Sequence, residues 1–221
     1  VACYMAKEKG RNRVQIHRSS DSDMMQRVGE MNWVHRIKSG LESNRFCLYA
    51  QEIRSLRDSD PDGLHVELLL RLRDENGGVI SPNHFIPAAE RYGLMPLIDR
   101  WVVRNAFELL DAHLRREGAK SIRTCAINLS GVTFGDDDFV DYVSSQFTRY
   151  AVPPELICFE ITESSAIANM TAAKRFIKAL KRLGCRFSLD DFGTGMSSIA
   201  YLKHLPVDYI KIDGSFVREM L

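Results

Sequence analysis

Apolar and polar positions repeat with two different periods along this chain of 221 residues. Short apolar runs rich in β-branched or aromatic residues predict strands, and longer stretches with an apolar residue every three or four positions predict helices. From Arg45 onward the two kinds of segment alternate. The six predicted strands are Phe46–Ile53, Val66–Leu72, Cys125–Leu129, Ile157–Ile161, Phe187–Leu189 and Tyr209–Ile212.

Helices are predicted between these strands, and several of their ends carry start or stop signals. Ser81 followed by Pro82 begins a helix that runs to Glu90. The other predicted helices are Leu97–Glu117 (ended by Gly118), Asp138–Tyr150, Thr171–Leu183 (ended by Gly184) and a short one near Ser197–His204. Alternating strands and helices indicate an α/β fold with parallel strands, arranged either as an open doubly wound sheet or as a (β/α)8 barrel.

The segment before Arg45 follows a different pattern. Residues 1–9 predict a helix end that Gly10 stops, Arg13–His17 is a short extended piece, and Arg18–Asp23 is a polar run typical of a linker. Apolar residues at helical spacing predict a helix over Met24–Ser39. We therefore expect residues 1–20 to be the tail of one domain, 21–44 to be a linker helix, and 45–221 to form a second domain.

Composition restricts the partners and the compartment. The formal net charge is +1, with 30 basic and 29 acidic residues, which gives no reason to expect a nucleic acid polymer or an anionic membrane as a partner. No apolar run approaches the roughly 18 residues of a membrane span, although an anchor elsewhere in a longer parent protein stays open. The five cysteines show no CxxC pair, so we expect reduced thiols and a cytoplasmic protein.

Polar residues recur on the predicted strands, mostly at their carboxyl ends. A single acid at such a position is usually a helix cap or a loop anchor. Here several strands agree, and in a barrel their carboxyl ends meet on one face, where barrel enzymes place their chemistry. This agreement favours an active site, and a barrel over an open sheet. The residues are Glu67, Asn128, Glu160, Glu163, Asp190, Asp191, Lys211 and Asp213.

Carboxylates that converge on one site need positive charge, because like charges at short range disfavour ionisation. Oxygen ligands suit a hard divalent cation, so the set predicts Mg²⁺ or Mn²⁺ rather than zinc. Asp190 and Asp191 are adjacent in the chain, which suits a ligand shared between two ions. Sites with two metal ions specialise in displacement at phosphate esters.

The same residues lie in motifs that resemble the EAL-type cyclic di-GMP phosphodiesterases. The resemblance extends from about Arg45 to the end of the chain and includes several long motifs in the family's order. They are the triplet Glu67-Leu68-Leu69, the SPNHFIPAAERYGL segment Ser81–Leu94, NLS at Asn128–Ser130, EITES at Glu160–Ser164 and the SLDDFGTGMSSIAYLKHLPVDYIKIDGSFV run Ser188–Val217.

The resemblance implies a (β/α)8 TIM-like barrel whose first strand is antiparallel to the others, and hydrolysis of cyclic di-GMP to linear pGpG with two Mg²⁺ or Mn²⁺ ions. It implies that Asp190 and Asp191 share the second ion and that Lys211 orients the attacking water. Glu163 would brace the loop Asp191–Ser198. The first ion would be bound by Glu67, Asn128, Glu160 and Asp190; the catalytic set is Glu67, Lys211 and Asp191; and substrate contacts fall to Gln51, Arg71 and Asp213.

The regions flanking the barrel carry further expectations. Residues 1–17 resemble the last helix and strand of a GGDEF domain, which implies a longer parent chain with a diguanylate cyclase-like domain. The family also continues beyond the residue that matches Leu221 with a strand that carries a glutamate, so we expect a barrel that is incomplete at its carboxyl end. The family further implies a homodimer formed through the barrel.

The chain departs from the family pattern at three positions, and the sequence leaves two other functions open. Leu68 replaces an alanine, Glu52 a proline and Leu72 a tryptophan. One alternative function is a receptor that binds cyclic di-GMP without cleaving it, since degenerate relatives lose the triplet glutamate or one of the paired aspartates. The triplet glutamate, Glu67, and both paired aspartates, Asp190 and Asp191, are present here, which favours catalysis. The other alternative is a phosphodiesterase for different nucleotides.

Overall fold

The computed structural model describes residues 22–56, 63–193 and 199–218 of the chain. Its contacts divide it into two compact units. The first comprises residues up to Cys47 together with Leu72–Leu94, and the second comprises Leu48–Arg71 and the residues from Met95 onward. Residues 1–20, which the sequence assigns to the tail of another domain, lie outside the described residues, so that assignment stays a prediction.

The first unit combines helices with the ends of two strands. The backbone N–H of Arg73 donates to the carbonyl of Arg45 over 2.8 Å, so the start of β1 lies beside the end of β2, as in an antiparallel pair. Strand β3 also pairs antiparallel with the end of β2. The elements are α1 (Ser22–Glu42), β1 (Phe46–Ile53), β2 (Leu64–Arg73), β3 (Val79–Ile80), a 3₁₀ turn (Pro82–His84) and α2 (Ile86–Arg91).

Phe85 is the centre of the small core of this unit. Its ring is fully buried and packs edge-on against Phe46, with 5.6 Å between centroids, and against Trp33 of α1 at 6.4 Å. Gly40 permits this packing because a Cβ there would lie 2.9 Å from Leu72 Cδ1. Helix α1 therefore packs through a surface that includes one glycine.

The second unit repeats strand and helix in the predicted order. Each long helix follows a strand and precedes the next one, with short 3₁₀ turns in the connections. The elements are α3 (Met95–Glu117), β4 (Ile122–Asn128), α4 (Asp137–Arg149), β5 (Ile157–Thr162), α5 (Glu163–Ala168), α6 (Met170–Arg182), β6 (Arg186–Phe192), β7 (Tyr209–Ile212) and α7 (Ser215–Arg218), with 3₁₀ turns at Gly131–Gly135, Pro154–Leu156 and Ile199–His204.

The order of the strands distinguishes between the two architectures that the sequence leaves open. The main path of the sheet is β1-β2-β4-β5-β6-β7, and the pairs from β2 to β7 are parallel. A doubly wound sheet reverses its strand order at a switch point, whereas the strands of a TIM-like barrel follow one another around the sheet. No reversal occurs among the described strands, so the predicted barrel-type α/β topology is confirmed.

The two faces of the sheet have different surroundings. On β6, the buried ring of Phe187 packs against Phe159 of β5 at 5.8 Å and against Phe176 of α6 at 6.2 Å. Because side chains alternate along a strand, Ser188 and Asp190 lie on the opposite face. The helices thus cover one face, and the polar residues lie on the other.

Most of the predicted elements are present, several with shifted ends, and one predicted helix is divided in two. The strands Phe46–Ile53 and Tyr209–Ile212 have the predicted bounds. The predicted helix from Ser81 to Glu90 is interrupted at Phe85, where a 3₁₀ turn gives way to α2. Pro87 explains the break, because it lacks an N–H and its ring disfavours a preceding helical turn.

Two short elements also differ from the expectation. The predicted helix near Ser197–His204 is a 3₁₀ turn over its described residues, Ile199–His204. Helix α5 was not predicted, because the segment Glu163–Ala168 has no apolar periodicity of its own. Among the described residues no helix is long and apolar enough to cross a bilayer.

The described cysteines behave as buried thiols. Cys125, Cys158 and Cys185 are buried, Cys47 is partly exposed, and all four are free. Burial raises the pKa of Cys125, Cys158 and Cys185 to about 12, so these thiols stay protonated at neutral pH. Cys3 lies outside the described residues.

Candidate metal centre

Three carboxylates from three different strands converge in the second unit. Glu67 of β2, Glu160 of β5 and Asp190 of β6 each offer an oxygen, and these oxygens all lie within 4.8 Å of one another. The parallel register brings them together, since it pairs Asn128 with Glu160 and Thr162 with Asp190 on neighbouring strands. Oxygen donors at this spacing, without histidine or cysteine, fit a hard divalent cation such as Mg²⁺ or Mn²⁺.

Lys211 of β7 contacts all three acids. Its Nζ lies 2.6 Å from Glu160, 2.9 Å from Glu67 and 3.4 Å from Asp190. The side chain of Glu160 is only 2% exposed, so its partner has to come from the protein or from a bound ion. The ammonium group partly offsets the charge of the cluster.

The cluster shifts the pKa values of its members in opposite directions. Burial, aided by the charges of Glu67 and Asp190, raises the pKa of Glu160, although Lys211 opposes the shift. Burial also acts on Glu67, but the hydrogen bonds from Lys211 and Asn128 outweigh it and lower the pKa of Glu67. For Lys211 burial favours the neutral amine, yet the bonds to Glu160 and Glu67 prevail and raise its pKa. Lys211 is therefore a fixed positive charge at neutral pH.

Asn128 joins the cluster from the end of β4. Its side-chain amide donates from Nδ2 to Oε1 of Glu67 over 2.9 Å. An amide side chain carries an oxygen as well as a nitrogen, so the same residue can also offer an oxygen to a cation. The structure thus brings Asn128 into contact with the residues that the sequence groups with it.

A buried acid that the sequence analysis did not single out holds the segment after Asn128. Asp99 of α3 is 2% exposed and accepts bonds from the hydroxyl of Ser130 at 2.5 Å, from the backbone N–H of Ser130 at 3.2 Å and from the hydroxyl of Thr133. Burial raises the pKa of Asp99 to about 6, opposed by these bonds. The sequence does carry a signal for a buried acid here, because Asp99 lies within the apolar stretch of α3 from Leu97 to Val103.

Asp190 and Asp191 have different positions. The backbone N–H of Asp191 donates to Oδ1 of Asp190 over 3.0 Å, and Asp191 adopts a left-handed conformation with φ of 54°. Its exposed carboxylate is not one of the three that converge with Lys211. Burial and the charges of Asp190 and Asp213 raise the pKa of Asp191.

Glu163 makes contacts that a bracing residue needs. It is 2% exposed, its Oε2 accepts from the backbone N–H of Gly193 over 2.8 Å, and its Oε1 accepts from the hydroxyl of Tyr201. Burial, together with the bond to Glu163, raises the pKa of Tyr201. Tyr201 was missed because a tyrosine inside an apolar stretch has no charge to mark it. Most of the loop that Glu163 is expected to brace, residues 194–198, lies outside the described residues.

Among the described residues, the three expected to bind substrate make no hydrogen bond to the converging acids or to Lys211. Gln51 is exposed on β1. The guanidinium of Arg71 lies 5.6 Å from the ring centroid of Tyr49, and its Nη1 donates to the carbonyl of Leu70 over 2.7 Å. Asp213 accepts from the backbone N–H of Ser215 over 2.8 Å, so it caps α7, and the bonds from Ser215 lower its pKa.

Comparisons with known proteins identify the family of the chain. The EAL domain family matches residues 34–221. The chain is 40% identical over 220 residues to a cyclic di-GMP phosphodiesterase, PdeB, of Shewanella oneidensis, an alignment that spans 100% of the chain and 25% of PdeB. The curated relatives that it matches are thus several times longer, and the chain spans about a quarter of their length.

Solved structures match the fold over most of the chain. The phosphodiesterase PaMucR in complex with c-di-GMP superposes with a TM-score of 0.77 at 33% identity, over 86% of this chain and 75% of that one. The EAL domain of FimX from Pseudomonas aeruginosa, bound to c-di-GMP, has a TM-score of 0.77 at 32% identity, over 86% and 74%. The chain belongs to the EAL domain family.

Proposed function

We propose that this chain hydrolyses cyclic di-GMP to linear pGpG and so lowers signalling by this messenger. The observation that carries the proposal is the convergence of Glu67, Glu160 and Asp190 around Lys211. Three carboxylates and one ammonium group leave the cluster negatively charged, so it can accept a phosphodiester only when a bound cation offsets that charge. The activity named for PdeB supports the reaction, and the ligand bound to PaMucR supports the substrate.

One Mg²⁺ or Mn²⁺ ion would be bound by the carboxylates of Glu67, Glu160 and Asp190 and by the amide oxygen of Asn128. Asp191, beside Asp190, would share a second ion with it. When bound, such ions supply positive charge to the phosphate and lower the pKa of water.

The side chains of the protein then have separate tasks. Lys211 keeps its proton at neutral pH, so it is a hydrogen-bond donor that orients water and offsets developing negative charge, and it is not the base. Glu67 is held ionised by Lys211 and Asn128, which keeps it available as a ligand. Gln51, Arg71 and Asp213 would bind the substrate, with the guanidinium of Arg71 suited to a phosphate or a guanine edge.

Glu163 and Tyr201 would brace the loop that follows Asp191. The carboxylate of Glu163 binds both Gly193 and Tyr201, one on each side of residues 194–198. A carboxylate that bonds to both flanks restricts the positions available to Asp191 at the start of the loop. The effect on metal binding would be indirect, since Glu163 is not one of the converging acids.

The setting of the domain is part of the proposal. A parent protein with a GGDEF domain before this chain is supported by the residues 1–17, and a cytoplasmic location by the absence of CxxC pairs and of long apolar runs in the sequence. A homodimer through the barrel rests on the family resemblance alone. A role in biofilm regulation would follow from control of this messenger.

A receptor that binds cyclic di-GMP without cleaving it is the second candidate. The observation that favours it is the FimX EAL domain, which matches this chain as well as PaMucR does and is described only as bound to c-di-GMP. The convergence of Glu67, Glu160 and Asp190 with Lys211 favours hydrolysis, because a receptor has no need for a cation site.

Product analysis separates these candidates. The full-length protein is incubated with cyclic di-GMP and Mg²⁺ or Mn²⁺, and the products are separated by chromatography. We expect pGpG, and no product when EDTA is present. Tight binding of cyclic di-GMP without product would establish the receptor, and cleavage of other cyclic nucleotides but not of cyclic di-GMP would establish a different substrate.

A further inference from the structure

A cavity of about 440 Å³ lies toward the amino-terminal ends of the strands in the second unit. It is lined by residues of three strands, His65 of β2, Thr124 of β4 and Arg186 of β6. Two acids of the metal centre, Glu67 and Asp190, lie further along β2 and β6. Thr124 and Asn128 are four residues apart, which corresponds to about 13 Å along β4. The cavity is therefore a separate place from the centre that Asn128 adjoins.

The cavity has an excess of positive charge. Lys120, Arg123 and Arg186 line it, against the single carboxylate of Glu155. Over residues 22–56, 63–193 and 199–218, no ion pair involves any of these three cations. Within the described part of the chain, Arg186 donates one bond, from Nη1 to the hydroxyl of Tyr209 over 3.0 Å. This bond orients the guanidinium, and its other N–H groups face no described acceptor that would compete with a ligand.

Thr124 gives a second and independent indication of a ligand. Its side chain is 8% exposed, it lines the cavity, and its Oγ1 has no hydrogen-bond partner among the described residues. A buried hydroxyl without a hydrogen-bond partner destabilises the folded protein. A ligand with acceptor oxygens would remove this destabilisation.

The backbone at the start of β2 packs against the segment that carries Lys120 and Arg123. Gly63, just before β2, has φ of 126°, and a Cβ there would lie 2.5 Å from Arg123 Cγ and 2.8 Å from the carbonyl oxygen of Lys120. The N–H of Leu64 donates to the carbonyl of Ser121 over 2.9 Å. The turn that carries Lys120 therefore packs directly on the start of β2, and the aliphatic stem of Arg123, an exposed residue, lies against Gly63.

We propose that this cavity is a binding site for a phosphate group, separate from the metal centre. A phosphate offers several acceptor oxygens and up to two negative charges, which match the three cations and the hydroxyl of Thr124. The ligand is inorganic phosphate or the phosphate of a small ester such as a mononucleotide, because the volume exceeds that of phosphate alone.

Titration in the absence of metal ions tests the site. The full-length protein, in EDTA, is titrated with inorganic phosphate, with GMP and with guanosine, and affinity is measured by calorimetry. We expect phosphate or GMP to bind, and Arg123→Gln to weaken the binding at least tenfold. Thr124→Val, which keeps the shape of the side chain, should weaken it severalfold. Arg104→Gln, at an exposed position of α3, is the matched control and should bind as the parent does.

The outcomes identify the ligand or overturn the site. Equal affinity for phosphate and GMP assigns the site to phosphate itself, and an affinity for GMP at least tenfold above both phosphate and guanosine assigns it to a phosphate ester. The proposal is wrong if neither phosphate nor GMP binds, if guanosine binds as tightly as GMP, or if both Arg123→Gln and Thr124→Val retain the parent affinity. Circular dichroism of each variant verifies that it is folded.

Discussion

The ammonium group of Lys211 lies 2.9 Å from a carboxylate oxygen of Glu67, although the two residues are 144 positions apart in the chain. The same Nζ also contacts Glu160 and Asp190. Three acids from three strands thus have one protein cation between them. A divalent ion that binds there would share these oxygens with Lys211, so metal affinity and lysine position are coupled.

Glu67→Gln tests the role of this acid. The amide keeps the size of the side chain and removes its charge, so we expect the turnover of cyclic di-GMP to fall by about 10²–10³, as when one key electrostatic group of an active site is lost. Steady-state product formation with Mg²⁺ measures it. Glu108→Gln, at an exposed position of α3, is the control and should keep parental turnover. Parental turnover in Glu67→Gln would rule out the metal-ligand role.

Glu163→Ala tests the bracing of the loop. Without the carboxylate, the bonds to Gly193 and Tyr201 are lost, so we expect Mn²⁺ affinity to fall by about 10- to 100-fold although Glu163 is not one of the converging acids. Calorimetric titration with Mn²⁺ measures it.

Two further variants define the cause of that loss. Tyr201→Phe removes only one of the two bonds, so its loss of affinity should be smaller than that of Glu163→Ala. Glu117→Ala, at an exposed position near the end of α3, should bind Mn²⁺ as the parent does. An unchanged titration for Glu163→Ala would refute the bracing role.

Asp99 predicts a dependence of stability on pH. Burial raises the pKa of Asp99 from 3.8 to about 6 in the folded state. Between these values the folded protein binds more protons than the unfolded chain, so the contribution of Asp99 to stability is largest at about pH 4 and is lost as pH rises to about 6. Each pH unit in this window changes the free energy of unfolding by up to about 1.4 kcal/mol.

Asp99→Asn isolates this effect, because asparagine does not titrate. We expect the stability of Asp99→Asn relative to the parent to increase by about 2–3 kcal/mol between pH 4 and pH 7. Urea unfolding at both pH values measures the difference. Asp141→Asn, at an exposed position of α4, should show no comparable change. A difference for Asp99→Asn that is the same at both pH values would contradict the raised pKa.

Phe176→Ala tests how much the aromatic core between the helices and the sheet contributes to the free energy of unfolding. Its ring is 3% exposed and packs against Phe134, Phe139 and Phe187, with centroid distances of 5.6, 6.0 and 6.2 Å. We expect Phe176→Ala to lower the free energy of unfolding by about 3–5 kcal/mol. Leu109→Ala, at an exposed position of α3, should cost far less. Chemical denaturation gives both values, and a similar loss for the two variants would show that the aromatic cluster is not a core.

Local pattern was sufficient for most of the elements. The strands Phe46–Ile53 and Tyr209–Ile212 have the predicted bounds because an apolar run with polar flanks is a local property. The break before α2 was missed, although Pro87 is a local signal against a helix that continues from Ser81. Helix α5 was not legible, because Thr162 begins it by accepting a bond from Ser165, a cap without an apolar stripe behind it.

The sequence by itself determined the class of fold, the family, and which acids stand at strand ends, because periodicity and motifs are written along the chain. Only the tertiary structure decided that Lys211 lies among Glu67, Glu160 and Asp190 and that Asp99 is buried against Ser130. It also decided that Arg123 and Thr124 line one cavity, where the Thr124 hydroxyl has no partner within the described part of the chain. The physical reason is that the register of parallel strands and the burial of each side chain depend on residues distant in sequence. Both a pKa and the partner of an ion are set by those neighbours in space.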